Sequence, residues 1–163
     1  MKATQLNLGL IFLLSMASCQ VSEQKNNESK TADLKSDILG SWYNLSMEVQ
    51  INSAGNNQDS SSTFKVPAGQ WEEILQIKPI ITTYRKDGTY TSVYRNLADS
   101  LIDESSDTWE VKEDSLFIFY QDQPYSYLTL VNGDTAEYKG MVDWDQDGMI
   151  DDLYTGIQIR LAE

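Results

Sequence analysis

The sequence predicts an all-β protein, an up-and-down antiparallel β-barrel of about eight or nine strands. Three observations lead to this prediction. Apolar and polar residues alternate strictly from Leu45 to Ile51, which is the period of a strand with one buried face. Short β-rich segments then follow one another to the end of the chain, joined by brief turns. From residue 38 onward, no stretch of about ten residues has a convincing helical period.

The N-terminus has the pattern of an export signal. Lys2 precedes an apolar run from Leu8 to Leu14, which is too short to span a bilayer permanently. The run leads to Cys19, the only cysteine in the chain. Its box, Met16-Ala17-Ser18-Cys19, resembles that of bacterial lipoprotein signals, in which the cysteine is acylated by chains such as palmitate and becomes the first mature residue. The resemblance implies a signal peptide over residues 1–18 and lipidation at Cys19; an ordinary secreted protein cut nearby is the alternative.

A lipid at Cys19 would make the membrane a partner of this protein. Each buried methylene contributes about 0.8 kcal/mol, so two or more acyl chains hold firmly where one holds marginally. Gln20 follows the cysteine, whereas an Asp there retains lipoproteins at the inner membrane of Gram-negative bacteria. The resemblance therefore implies the cell envelope and its outer membrane, on either face. Residues 19–37 have almost no large apolar side chains and predict a flexible tether, leaving 38–163 for the barrel domain.

The composition excludes several functions. A formal net charge of −13 repels phosphate backbones, so nucleic acid is not an expected partner. The chain contains no histidine, which excludes Ser-His-Asp and Cys-His nucleophile systems and the usual zinc sites. A carboxylate-only hydrolase needs two convergent acids, but Glu72 and Glu73 would point to opposite faces of a predicted strand. We therefore expect no enzymatic activity.

The strands follow in order between turn signals. Pro79 has no backbone donor and separates two of them, and Asp87-Gly88 and Asn132-Gly133 are hairpin signals. Residues 53–62 are predicted to be a loop, and Leu97–Glu104 could form a short turn of helix. A meander of hairpins that closes into a barrel removes exposed strand edges, and a two-sheet sandwich is the runner-up. The predicted strands are Leu45–Ile51, Trp71–Ile77, Ile80–Arg85, Thr89–Arg95, Thr108–Lys112, Ser115–Tyr120, Tyr125–Val131, Thr135–Val142 and Leu153–Leu161.

The two ends of the barrel domain resemble a known family. Gly40-Ser41-Trp42 opens the first strand and Arg160 lies on the last, as in the Gly-x-Trp entry of lipocalin-type barrels. The stretches Tyr84–Tyr90, Thr108–Val111 and Asp114–Leu116 are similar to bacterial lipocalin-like lipoprotein domains, although Asp107 stands where those families show Gly. The resemblance implies a lipocalin-like barrel in which Trp42 packs at the closed end and Arg160 covers its ring as a cation–π pair.

One loop predicts a metal site. Asp143, Asp145 and Asp147, followed by Gly148, occupy positions one, three, five and six of an EF-hand-type calcium loop. The further ligands would be the Met149 carbonyl, Asp151 and Asp152, while position twelve is Tyr154 instead of the bidentate Glu. A bound calcium ion would be structural and would rigidify the hairpin of the last two strands. The alternative is a solvated acidic hairpin built from Asx turns.

These patterns together predict a non-enzymatic lipoprotein whose barrel binds a small apolar ligand or contacts a protein partner, which the sequence does not identify. The alternative is an accessory or structural subunit of an envelope complex, with a filled barrel that binds no ligand. Barrels of about eight strands either hold one small ligand or are filled by their own side chains. Five tyrosines could line a pocket mouth or form cross-strand ladders on the outer surface, and we favour the ladders: Tyr84, Tyr90, Tyr94, Tyr125 and Tyr127.

Overall fold

The computed structural model describes residues 33–52, 61–121 and 123–162. The predicted signal peptide, Cys19 and the tether up to residue 32 lie outside the described residues. The described part of helix α1 is residues 33–37. The elements that follow are β1 (Gly40–Ile51), β2 (Ser62–Val66), α2 (Trp71–Leu75), β3 (Ile81–Tyr84), β4 (Thr89–Arg95), β5 (Leu101–Lys112), β6 (Ser115–Tyr120), β7 (Gln123–Asn132), β8 (Thr135–Val142) and β9 (Asp152–Arg160).

Eight strands close into an antiparallel barrel, which confirms the predicted fold class. β3 to β9 pair in sequence, and β9 returns to pair with β1 from Trp42↔Arg160 to Gln50↔Leu153. The other edge of β1 is shared. Its first residues, Gly40–Tyr43, pair with β3, and Met47–Ile51 pair with the extra strand β2. Closure gives each barrel strand a neighbour on both sides. The backbone N–H and C=O groups that an open sheet leaves unpaired at its edges therefore find partners in the barrel.

Side chains alternate between the inside and the outside of the barrel. In β8, buried Ala136 and Tyr138 flank the exposed Glu137. In β1, Trp42 and Asn44 are buried, and a bulge after Asn44 moves the buried positions to Met47 and Val49. This two-residue period is that of a half-buried strand, and it places every second residue of each strand in one common interior.

Trp42 and Arg160 close one end of the barrel. Trp42 is fully buried, and its Nε1 donates to the Ile38 carbonyl at 2.7 Å. The guanidinium carbon of Arg160 lies 4.2 Å from the Trp42 ring centroid. Its Nη1 and Nη2 donate to the carbonyls of Leu39 and Asp37 at 2.6 and 2.5 Å. The structure thus brings together the two residues that the resemblance paired, and a single side chain connects the last strand to the segment that enters the first.

Gly40 makes this contact possible. Its φ is +105°, a conformation that L side chains rarely adopt, and a Cβ there would lie 3.2 Å from Nη1 of Arg160. The first residue of the Gly-x-Trp motif is therefore needed for both its backbone angle and its small size.

The predicted strand over Trp71–Ile77 is wrong, because residues 71–75 form helix α2. Trp71 and Leu75, which are one helical turn apart, pack against Val66 and Met47, and this tertiary contact selects the helix. The helix ends at Gln76, whose φ is 58° and whose N–H bonds the Glu72 carbonyl. Glu72 and Glu73 are consequently two exposed neighbours on a helix and do not face opposite sides of a strand.

The predicted helical turn over Leu97–Glu104 is also wrong. Asn96 Oδ1 accepts hydrogen bonds from the backbone N–H groups of Ala98 and Ser100 at 3.0 and 2.9 Å, which makes a tight turn. β5 therefore begins at Leu101, well before the predicted Thr108. The sequence also missed β2, which is short and lies outside the barrel wall.

Residues 33–37, which were predicted to belong to the tether, are helical. Leu34 is only 7% exposed, and its carbonyl accepts from the Ile38 N–H at 3.0 Å. This one buried apolar side chain extends the ordered domain upstream of residue 38. No helix among the described residues is long and apolar enough to cross a bilayer.

Replacing Arg160 with Met should destabilise the barrel by about 2–4 kcal/mol, because it removes the cation–π contact and two charge-assisted hydrogen bonds. Urea unfolding followed by tryptophan fluorescence measures the loss. Arg160→Lys keeps a charge over the ring but cannot reach both carbonyls, so its stability should be intermediate. Lys139→Met removes an exposed positive charge from β8 and is the control. Equal midpoints for Arg160→Met and Lys139→Met would contradict the closing role.

Candidate functional site

The barrel interior contains a cavity of about 310 Å³. Eight of the nine tyrosines in the chain line it: Tyr84, Tyr90, Tyr94, Tyr120, Tyr125, Tyr127, Tyr138 and Tyr154. Six polar residues, Asn44, Thr82, Ser92, Asp103, Ser105 and Gln158, share the lining with Ile80 and Ile118. The exposed end, where Asp103, Tyr120 and Tyr125 reach solvent, is called the mouth below. The interior is therefore neither filled nor purely apolar.

The favoured prediction of tyrosine ladders on the outer surface is wrong. Tyr84 and Tyr90 are 3% and 4% exposed, and all five of the tyrosines considered above line the cavity. The rings do pair across strands, but inside the barrel. The Tyr127 ring makes edge contacts with Tyr138 and Tyr154, at centroid distances of 6.3 and 5.7 Å. Sequence reasoning also missed Tyr120, Tyr138 and Tyr154, although the two-residue period places Tyr138 on the same face as apolar Ala136.

Two strand glycines make room for the rings. A Cβ on Gly140 would lie 2.9 Å from Cδ1 of Tyr127, and a Cβ on Gly156 would lie 2.8 Å from Cζ of Tyr154. Real Cβ atoms do not approach other atoms this closely. A larger residue at position 156 would therefore displace the Tyr154 ring, and one at position 140 would displace the backbone carbonyl of Ser126 as well as the Tyr127 ring.

Hydrogen bonds within the protein hold the polar side chains of the cavity in place. Tyr90 donates its hydroxyl proton to the Phe119 carbonyl at 3.0 Å, and Tyr138 donates to Oε1 of Gln158 at 2.9 Å. Gln158 in turn donates to Oδ1 of Asn44 at 3.3 Å. The hydroxyls of Thr82 and Ser92 lie 2.9 Å apart. Since these contacts link different strands, the protein itself holds the lining in one arrangement.

Burial keeps the cavity phenols neutral. Desolvation raises the pKa of Tyr154 to about 12, and together with the charge of Asp107 it raises the pKa of Tyr90 to about 12. It raises the pKa of Tyr84, Tyr127 and Tyr138 well above the usual range. These side chains therefore keep neutral rings and hydroxyls in the cavity even at an alkaline pH at which exposed tyrosines ionise.

The aspartate loop, residues 143–152, connects β8 to β9 and folds around its own carboxylates. Asp143 Oδ2 accepts from the Gly148 N–H at 3.0 Å, and Asp145 Oδ1 accepts from the Asp147 N–H at 3.2 Å. Asp147 Oδ1 accepts from the Met149 N–H at 2.8 Å. Gly148 has φ +92°, which supplies the sharp turn that the sequence assigned to it. Two of these bonds span two residues, as in Asx turns, and the third spans five residues, so the loop curls back on its own carboxylates.

Three carboxylates of the loop converge. Asp143, Asp145 and Asp152 each place one oxygen within 4.8 Å of the others. Asp152 is fully buried and accepts from the backbone N–H groups of Asn52 and Trp144 at 3.1 and 2.8 Å. Asp143 Oδ1 and Asp145 Oδ2 are buried atoms without a hydrogen-bond partner among the described residues. Burial and the neighbouring carboxylates, Asp147, Asp152 and Asp143 in that order, raise the pKa of Asp145. This group could hold a metal ion.

The other predicted ligands lie outside this three-carboxylate group. Asp147 is engaged with the Met149 N–H, as described above, and the Asp151 carbonyl accepts a hydrogen bond from the side chain of Asn52. Six residues were predicted as ligands, and the structure brings the carboxylates of three of them together. The loop is therefore tied to the end of β1 through both Asp151 and Asp152.

The aspartate loop lies beside the cavity. Asp143, Trp144 and Gln146 line a second cavity of about 560 Å³. That cavity shares Asn44, Ile80, Tyr125, Tyr127 and Tyr154 with the first one. The Trp144 ring stacks on Phe64 of β2, with centroids 5.6 Å apart and planes at 24°. The loop, β2 and the tyrosine lining consequently meet at the same end of the barrel.

No protein-family model matches this chain, and no match is found among curated proteins. The resemblance to lipocalin-like lipoproteins therefore remains a prediction from the sequence.

Stability should fall at high pH because the folded state keeps its tyrosines protonated. The folded pKa values lie above the unfolded value of about 10, so this contribution is complete below pH ~10 and is lost as the pH rises toward about 12. Tyrosinate absorbance and urea midpoints, both measured against pH, test this. In denaturant, all tyrosines should ionise together near pH ~10. Ionisation of every tyrosine near that pH in the folded protein, with unchanged stability, would refute the buried lining.

Proposed function

We propose that this protein is a binding barrel that holds a small ligand among the tyrosines of its interior cavity, and that it is not an enzyme. The observation that supports this is the convergence of eight tyrosines and six polar side chains on one cavity of about 310 Å³. That volume is at the small end of the roughly 300–1,000 Å³ of ligand pockets. Tyrosine offers a large apolar ring and a polar hydroxyl. The lining therefore suits a ligand with both a ring or alkyl face and polar groups, in place of the apolar ligand expected from the sequence.

A second candidate function is an accessory subunit of an envelope complex. It is supported by exposed apolar side chains on the outside of β7, where Leu128 and Leu130 are 50% and 63% exposed. Exposed apolar patches of this kind mark contact surfaces. The cavity favours the binding barrel, because an accessory subunit with a filled interior would not need pre-organised polar groups there.

We also propose that Cys19 is acylated and holds the barrel at the outer membrane. The support is the signal-like N-terminus with its Met16-Ala17-Ser18-Cys19 box. Two or more acyl chains would make the attachment stable. Cell fractionation tests this proposal: the wild type should sediment with membranes and Cys19→Ala should not, and a Cys19→Ala variant that stays with the membranes would refute the anchor.

We further propose that the aspartate loop binds calcium as a structural ion. Calcium is a hard cation that takes oxygen ligands, and the loop offers three converging carboxylates. Two of their oxygens are buried without a hydrogen-bond partner among the described residues, and an ion would compensate both. Bound metal would offset the repulsion between these acids and fix the loop beside β2.

Calcium should raise the thermal midpoint and change Trp144 fluorescence, because the ion would order the loop that carries this ring. At tenfold excess over the dissociation constant the stabilisation is about 1.4 kcal/mol, which is a shift of a few degrees. Asp145→Asn should lose most of both effects. Glu137→Gln removes the same charge from the exposed face of β8 and should keep them. No heat and no midpoint shift with millimolar calcium would exclude the site.

The binding function is tested by blocking the cavity. Ser105 is half-buried and lines the cavity, so Ser105→Trp should fill the space near the mouth. Ser106→Trp adds the same ring on the exposed face of the same strand and is the matched control. Protein is purified from its native cell under mild conditions, and retained small molecules are identified by native mass spectrometry.

The wild type and Ser106→Trp should retain the same small molecule, and Ser105→Trp should lose it. Circular dichroism establishes that the three proteins are equally folded. A wild-type barrel that retains nothing, or equal retention by all three proteins, would contradict a binding function for this cavity.

A further inference from the structure

The charge of the cavity lining has one sign. Among the described lining residues, Asp103 carries the only formal charge, and none is Lys or Arg. A carboxylate or phosphate ligand would therefore find no cation to pair with and would face a like charge. The net charge of −13 adds a field that attracts cations and repels anions.

Asp103 is well placed to meet a ligand that enters at the mouth. It lies opposite Tyr94 in the β4–β5 pairing, and Ser105, two residues further along β5, lines the same cavity. Its Oδ1 accepts from the Glu104 N–H at 2.9 Å, which orients the carboxylate. None of the ion pairs found among the described residues involves Asp103. The carboxylate thus faces the cavity without a protein cation.

The tyrosine lining also favours a positively charged ligand. Aromatic faces carry negative charge density and attract cations within about 6 Å of the ring centroid. The hydroxyl protons of Tyr90 and Tyr138 are already donated to the Phe119 carbonyl and to Gln158. The Tyr90 oxygen can still accept a hydrogen bond, whereas the Tyr138 oxygen already interacts with the Tyr84 hydroxyl, and neither group has a second proton to donate. Ring faces, hydroxyl oxygens and one carboxylate are complementary to a ligand that is positive or donates protons.

We propose that the cavity selects a small organic cation, a protonated amine or a quaternary ammonium compound, whose charge lies among the tyrosine rings and near Asp103. This inference rests on the proposed binding function and names the class of its ligand. Electrostatic attraction to Asp103 at the mouth would guide the cation inward, and the rings would replace part of its hydration shell.

The test compares three probes of the same shape and different charge, using the full chain. Choline is the cation. The neutral isostere is 3,3-dimethylbutan-1-ol, in which carbon replaces the choline nitrogen, and the anion is tert-butylacetate, which is the carboxylate 3,3-dimethylbutanoate. Calorimetry or ligand-observed NMR should show choline binding about tenfold more tightly than the neutral isostere, because a desolvated cation–π contact gives a difference of that order. Tert-butylacetate should not bind.

Two variants locate the charge effect. Asp103→Asn keeps the size and the acceptor oxygen of the side chain, and it should weaken choline binding about three- to tenfold. Glu104→Gln removes the same charge from the neighbouring position, which faces away from the cavity, and should leave binding unchanged. Added salt should weaken choline binding to the wild type more than to Asp103→Asn, since Asp103 at the mouth is open to screening.

The outcomes separate this inference from the function on which it rests. Equal binding of choline and its neutral isostere, or tighter binding of tert-butylacetate, would overturn the cation class and leave the binding barrel intact. Absence of choline binding would also overturn it, and the retained-ligand experiment with Ser105→Trp would then decide whether the cavity binds anything else.

Discussion

The contact of Arg160 with Trp42 is the interaction on which the rest of the structure depends. It joins the last strand to the first, and it fixes the segment that leads into β1 through two carbonyls. Once the barrel is closed, every second residue of eight strands must share one interior. Ile38, Trp42 and Leu116 are fully buried and pack in one core cluster at the closed end. Tyr84, Tyr90 and Tyr138 belong both to this core and to the cavity lining, so they lie where the core meets the cavity.

The sequence predicted the barrel because its hairpins are marked locally. Thr89–Arg95, Ser115–Tyr120 and Thr135–Val142 were predicted with the bounds that the structure has, since turn residues limit each of them. The errors have a different origin. Helix α2 is selected by the packing of Trp71 and Leu75 against distant strands, and the turn before β5 depends on the side chain of Asn96. Neither contact is visible in a short window of sequence.

The two candidate sites also differ in how far each of them could be predicted from a short window of sequence. The aspartate loop could be found from spacing alone, because its hydrogen bonds link residues two to five positions apart. The tyrosine cavity could not, since a shift of one residue in strand register moves a whole set of side chains to the other face. Alternation groups Tyr90 with Ser92 and Tyr94, but it does not say which face of the strand is inside. That requires the closure of β1 on β9.

Gly140 and Gly156 affect how much space the barrel encloses, although neither of them lines the cavity. A methyl group on Gly156 would displace the Tyr154 ring and hydroxyl, whereas one on Gly140 would displace the backbone carbonyl of Ser126 as well as the Tyr127 ring. The space enclosed at this part of the barrel is therefore determined by two residues without side chains as much as by the aromatic rings around it.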